Sequence, residues 1–201
     1  MPRWLGPLCI AATCYGLYNV WVERPLAQPA GMVAPNAPEQ QPLRSNAGPF
    51  NRAGWTIIPI AEFSVEARIL GRERYHWDAV AKLAPIDLAL GWGPMSDSSV
   101  LRHISIDQHT RYFHWRFKDA SITPSDLVAH AANMHMIPAD GTVERALLVV
   151  RPGQIVRFSG YLVAATPDAG GEPWRSSTSR TDTGNGACEI VWVTALRAGP
   201  S

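Results

Sequence analysis

Beyond Phe50 the chain alternates between apolar and polar positions with a period of two over several stretches. In "FSVEARIL", Phe63, Val65, Ala67 and Ile69 alternate with Ser64, Glu66 and Arg68, the pattern of a strand with one buried face. In "RYFHWRFK", Phe113, Trp115 and Phe117 form an aromatic inner face, and Tyr112, His114, Arg116 and Lys118 form a basic outer one. "ERALLVVRPGQIVRFSGYLV" reads as two strands around a turn at Pro152-Gly153, with Gly160 marking a bulge or bend. "CEIVWVTAL" is apolar on both faces after Glu189, which predicts a central strand.

Helical signals are few and short. "TPSDLVAHAAN" opens with Thr123 as N-cap and Pro124 at the first helical position. "DSSVLRHI" is capped by Asp97, and "HWDAVAKLA" is stopped by Pro85. These elements predict a mainly β (α+β) fold over residues 50–201: a bent antiparallel sheet, as a small barrel or closed sandwich, with two or three short helices.

The first half-hundred residues follow other patterns. From Trp4 to Val22 run nineteen residues without a charge, close to the roughly 20 that cross a bilayer as a helix. No Ala-x-Ala pair follows between residues 20 and 40, so the run predicts a retained anchor over residues 1–22 rather than a cleaved signal. Arg3 precedes the run, which favours an inner-membrane protein with its C-terminal domain in the periplasm. Residues 23–49 carry six prolines and no apolar periodicity, and read as a Pro-rich tether.

Composition adds limits rather than an activity. The 201 residues are 46% hydrophobic and 17% charged, with a net charge of +1, so no global field draws the chain to nucleic acid. Cys9 and Cys14 lie in the apolar run, which leaves Cys188 without a partner for an intrachain disulfide in the folded part. No phosphate-binding glycine motif is present, and no cofactor is indicated.

Spacing limits what the chemistry-bearing residues can do. Asp182-Thr183-Gly184 matches the aspartic-protease tripeptide, but 17 residues follow Gly184, too few for the remaining strands of a lobe, and a single copy supplies one of two carboxylates. Cys188 could act as a nucleophile with a histidine, His114 or His135 being the candidates. Its parity with Ile190 and Trp192 favours instead a small buried residue. No metal site is predicted: His130 and His135 diverge on a helix, and His109 and His114 have opposite parity on a strand. The row Tyr112, His114, Arg116 and Lys118 suits a carboxylate, phosphate or sugar, and on a barrel of the oligonucleotide- or oligosaccharide-binding kind such a face holds ligand.

"AANMHMIPA", "GWGPMSD" and "SSTSRTDTGNGACE" together resemble a family of membrane-anchored bacterial proteins. That resemblance implies a membrane-anchored domain and brings no activity, cofactor or catalytic residue. The expectation is a non-catalytic binding or assembly module of the cell envelope, bound to the inner membrane through residues 4–22 and contacting an envelope protein or an anionic or sugar ligand. The alternatives are an envelope hydrolase or transferase using Cys188, or an oligonucleotide- or oligosaccharide-binding barrel.

Overall fold

The structure, a computed structural model, describes residues 5–44, 47–118, 128–179 and 187–199. It is mainly β, with one large sheet, a separate two-stranded sheet and three helices among the described residues. In chain order these are α1 (Leu5–Glu23), β1 (Glu39–Gln41), β2 (Phe50–Arg52), β3 (Trp55–Arg74), β4 (Ile86–Gly91), α2 (Ser98–Leu101), β5 (Ile104–His109) and β6 (Tyr112–Phe117). They are followed by β7 (Ala131–Pro138), α3 (Gly141–Val149), β8 (Ile155–Pro167), β9 (Trp174–Arg175) and β10 (Glu189–Ala198).

The sheet turns back on itself through one long strand. β3 spans 20 residues, pairing antiparallel with β8 along one edge and with β4 along its C-terminal part. β4 pairs with β7, β7 runs parallel to β10, and β10 pairs with β8, so the pairings form a ring that starts and ends on β3. Register shifts in β3 at Pro59/Ala61 and Ile69/Gly71, and in β10 at Val193/Ala195, supply the local twist that such curvature requires.

Alternation decides which side is the core. Phe63, Val65, Ala67 and Ile69 of β3 meet Leu88 and Leu90 of β4, Met134 and Met136 of β7, and Val191 and Val193 of β10. Val143 and Leu147 of α3 pack against the same cluster. The opposite face of β7 and β10 carries Ile137, Ile190 and Trp192 into a second cluster with Ile57 and Leu83. β10 thus buries both faces, as its apolar run predicts.

Several elements differ from the sequence expectation. "ERALLVV" is the helix α3, capped by Asp140, whose side chain accepts from the backbone N–H of Thr142 and Val143. The cap and a helical spacing of Val143 and Leu147 overrode the β-branched content. "HWDAVAKLA" forms only turns, with Val80 C=O accepting from Leu83 and Ala84 before Pro85. Ala131–Asn133, expected at the end of a helix, open strand β7; Thr123 and Pro124 lie outside the described residues. The turn at Gly153 (φ 83°) is as expected, and the N-cap of Asp97 on α2 forms through the N–H of Ser99.

The transmembrane anchor is a correction. α1 has the length, but Gly6, Pro7, Thr13, Gly16 and Asn19 dilute its apolar content, and among the described residues no helix is long and apolar enough to cross a membrane. The inner-membrane attachment through residues 4–22, the signal-anchor and the periplasmic placement therefore lose their basis.

The Pro-rich segment also behaves differently from a free tether. Leu26 N–H donates to Pro152 C=O (2.7 Å), Gly31 N–H to Asp97 Oδ1 (2.9 Å), and Gly93 N–H to the buried Ala34 C=O (2.8 Å). The strap then adds β1 to the edge of β3, with Gln40 opposite Phe63.

Gly160 is the tightest backbone crossing inside the sheet. A Cβ there would stand 1.9 Å from the Trp192 carbonyl oxygen, opposite the bulge of β10. Gly160→Ala should therefore push β8 from β10 and lower stability by about 1–3 kcal/mol, read as a lower urea midpoint at unchanged slope.

Candidate functional site

Ile86 and Leu88 flank a single carboxylate, Asp87, on a strand that is otherwise apolar. Because Leu88 turns into the core, Asp87 turns to the opposite face, where the register places it directly across from His135 of β7. Asp87 is completely buried. A charge without water needs a cationic partner, and the chain brings one from the tip of the β5–β6 hairpin.

That partner is Arg111. Its Nη1 lies 3.1 Å from Asp87 Oδ1, while Nε and Nη2 hold Asp78 at 3.1 and 2.9 Å, and Nη2 also donates to the Ala84 carbonyl. The guanidinium sits 3.9 Å over the ring of Tyr75 and 5.8 Å from that of Trp174. Tyr75 Oη accepts from the Arg111 backbone N–H at 2.8 Å. Burial first, and the Asp87 charge next, push the Tyr75 phenol above its ordinary range.

His135 joins the same carboxylate from β7. Its Nδ1 is 2.9 Å from Asp87 Oδ1, and its ring lies 4.7 Å from Trp174. The approach is short, yet Nδ1 makes no hydrogen bond of good geometry, so the two groups are in close approach without a directed N–H bond. Two positions earlier, Asn133 donates to the Arg111 carbonyl at 3.1 Å and accepts from Gln108 Nε2 at 2.7 Å.

Cys188 enters this neighbourhood from the residue just before β10. The parallel register sets Glu189 beside Met134, which places the preceding residue beside Asn133, and Asn133 Nδ2 lies 3.9 Å from Cys188 Sγ. Cys188 is half-buried rather than enclosed. Of its two candidate partners, His135 stands on the adjacent strand and the same face, whereas His114 belongs to the separate two-stranded sheet. Asp182, Thr183 and Gly184 lie outside the described residues.

The β5–β6 hairpin has the two faces that its alternation predicts. Ile104, Ile106, Trp115 and Phe117 pack with Met95, Leu70 and Leu101 in a third cluster. Tyr112, His114, Arg116 and Lys118 are exposed, with Ser105, Asp107 and His109 beside them on β5. Lys118 Nζ donates to the Arg102 carbonyl, which fixes the last cation of the row at the hairpin base. Near the other end, Asp78 ties the loop bearing Trp77 to Arg111, and Trp77 is 97% exposed.

Sequence reasoning passed over Asp87, Arg111, Asn133, Tyr75 and Trp174. One signal was available: a lone Asp inside "PIDLALGW" breaks an apolar strand and calls for a buried partner. Which cation answers it depends on tertiary pairing, since Arg111 and Asp87 lie on different elements.

Removing Arg111 leaves Asp87 charged, dry and without its strongest partner. Arg111→Ala should cost about 3–5 kcal/mol of unfolding free energy, whereas Asp87→Asn, which leaves Arg111 bound to Asp78, should cost clearly less. Equal losses in urea unfolding would show that the pair is not what anchors the hairpin.

No protein-family model, no curated protein and no solved structure matches the chain closely enough to show relationship, so the family resemblance read from its motifs gains no support.

Proposed function

We propose that the chain is a non-catalytic binding or assembly module, with the exposed face of the β5–β6 hairpin as its contact surface. The observation that carries this reading is the division of the hairpin into a buried aromatic side and an exposed row of Tyr112, His114, Arg116 and Lys118. A solvated row of this kind offers an aromatic ring and cationic donors together. The ligand class that fits is an anionic or sugar-like chain rather than an apolar one. The ring of strand pairings closed by β3 is consistent with a small barrel, and the row lies beside that ring, on the separate two-stranded sheet.

The test uses a defined probe, a sulfated oligosaccharide, titrated into the full chain at low salt. Binding is expected, weakened at least about tenfold by Arg116→Glu with Tyr112→Ala, because each lost charge-assisted contact is worth roughly 1.5–3 kcal/mol. Equal binding by the double variant would overturn the assignment of the face. Preference for a single-stranded oligonucleotide over the sugar would move the reading to the nucleic-acid alternative.

A second reading rests on Cys188 and His135 sharing one face of adjacent strands, with Asp87 against the imidazole. An imidazole against a carboxylate, on the same face as a thiol, is a starting arrangement for nucleophilic catalysis. The non-catalytic reading expects Cys188 to alkylate slowly with iodoacetamide in the native state at neutral pH. Rapid alkylation of Cys188 that His135→Ala slows would favour the hydrolase or transferase reading instead.

A further inference from the structure

We infer that a trough across the outer face of β1, β3, β8 and β10 is a second binding site, for an uncharged oligosaccharide. The strand registers build it. Glu39 of β1 stands opposite Ser64 of β3, Ser64 opposite Ser159 of β8, and Ser159 opposite Ala195 of β10. These side chains share the outer face, because Phe63, Val65, Phe158 and Leu196, which flank them in sequence, turn to the core. Ser64, Ser159 and Ala195 are short, so their row is the floor of the trough.

The rows two residues away on either side carry long side chains and form its banks. Gln41, Glu62 and Tyr161 are aligned on one bank, and Glu66, Arg157 and Arg197 on the other. A cavity of about 350 Å³ lies along the first bank and one of about 500 Å³ along the second. Glu39, Ser64 and Ser159 line both, which makes them one continuous space. Each volume falls in the range of small-molecule sites, about 300–1,000 Å³. Neighbouring strands lie about 4.8 Å apart, so a floor crossing four of them is about 14 Å long, the reach of a short chain rather than of a single ring.

The ligand class follows from the charges. Three carboxylates, Glu39, Glu62 and Glu66, face the trough with three guanidiniums, Arg44, Arg157 and Arg197. Arg44 Nε lies 3.6 Å from Glu62 Oε2, and Arg157 pairs with Glu66 across the strands. Charges balanced in this way exert little net pull on an ion, yet their remaining lone pairs and N–H groups bond hydroxyls. Ser64 and Ser159 add hydroxyls that both donate and accept. Tyr161 supplies a ring, held 5.9 Å from Phe50, whose apolar body and polar tip match the apolar face and hydroxylated edge of a sugar. An ion of either sign meets its own charge here, whereas a polyol finds donors and acceptors along the whole floor. The trough shares no residue with the row Tyr112, His114, Arg116 and Lys118, so it stands apart from the hairpin reading.

The test titrates cellohexaose and chitohexaose, two uncharged hexasaccharides, into the full chain by calorimetry at about 0.1 M and about 1 M salt, between which the screening length falls from about 10 to 3 Å. At least one sugar should bind, equally at both salt concentrations. Ser159→Trp fills the floor and should abolish binding, and Gln41→Ala should weaken it about three- to tenfold. Arg116→Glu, on the hairpin, should leave it unchanged. Both trough side chains lie outside the core, so unfolding midpoints matching the parent should accompany these variants. No binding of either sugar, binding that survives both trough variants, or binding that fades with salt overturns the site. The sulfated oligosaccharide is scored separately at the hairpin, and its failure there leaves the trough assignment standing.

Discussion

A single carboxylate without access to water organises this molecule. Asp87 lies on a strand whose other residues are all apolar, and an isolated charge there would be untenable. The chain resolves this by bringing Arg111 across from the hairpin tip, and that one guanidinium then engages Asp87, Asp78, the Ala84 carbonyl and the ring of Tyr75. The strained turn follows from this demand. Thr110 and Arg111 both adopt left-handed backbone, a conformation that disfavours side chains, and the ion pairs made by Arg111 offset the strain. Placement of the exposed row therefore depends on a contact made on the buried side of the same hairpin.

The N-terminal strap shows a different balance. Its proline content lowers the entropy that the unfolded chain has to lose, and its backbone groups find specific partners in the "GWGPMSD" turn. Asp97 serves both sides: it caps α2 through Ser99 and takes the N–H of Gly31, and those two backbone bonds hold its carboxyl below the usual range. A depressed carboxyl contributes stability that is present above its unfolded-state value and fades as pH falls through the folded one, so this clasp belongs to neutral conditions and weakens in acid. Arg68, buried behind it, donates to Ser96 and Ser98 and fixes the turn that the strap crosses.

What the sequence disclosed follows from how local each feature is. The two-period stretches "FSVEARIL" and "RYFHWRFK" became strands with the faces that alternation assigned, because one buried side is enough to fix them. The cap at Asp97 and the turn at Gly153 were equally readable, being set by a few adjacent residues. "ERALLVV" was misread because a short apolar run fits strand and helix alike, and the arbiter, the Asp140 cap, sits outside it. The site was hardest. Its members come from β4, β7, β9, the hairpin tip and the loop at Asp78, and only sheet closure brings them together.

The same point separates the inner histidine from the outer ones. His135 is drawn inward by Asp87 and Trp174, so its ring is positioned by the ion-pair cluster and any reactivity it lends Cys188 is tied to the stability of that cluster. His109 and His114 stand outside it, on the exposed face of the hairpin, behind which Trp115 and Phe117 are packed. Substitution on the outer face leaves the ion-pair cluster intact, whereas substitution at Asp87, Arg111 or His135 removes contacts that hold the hairpin tip and β7 against β4.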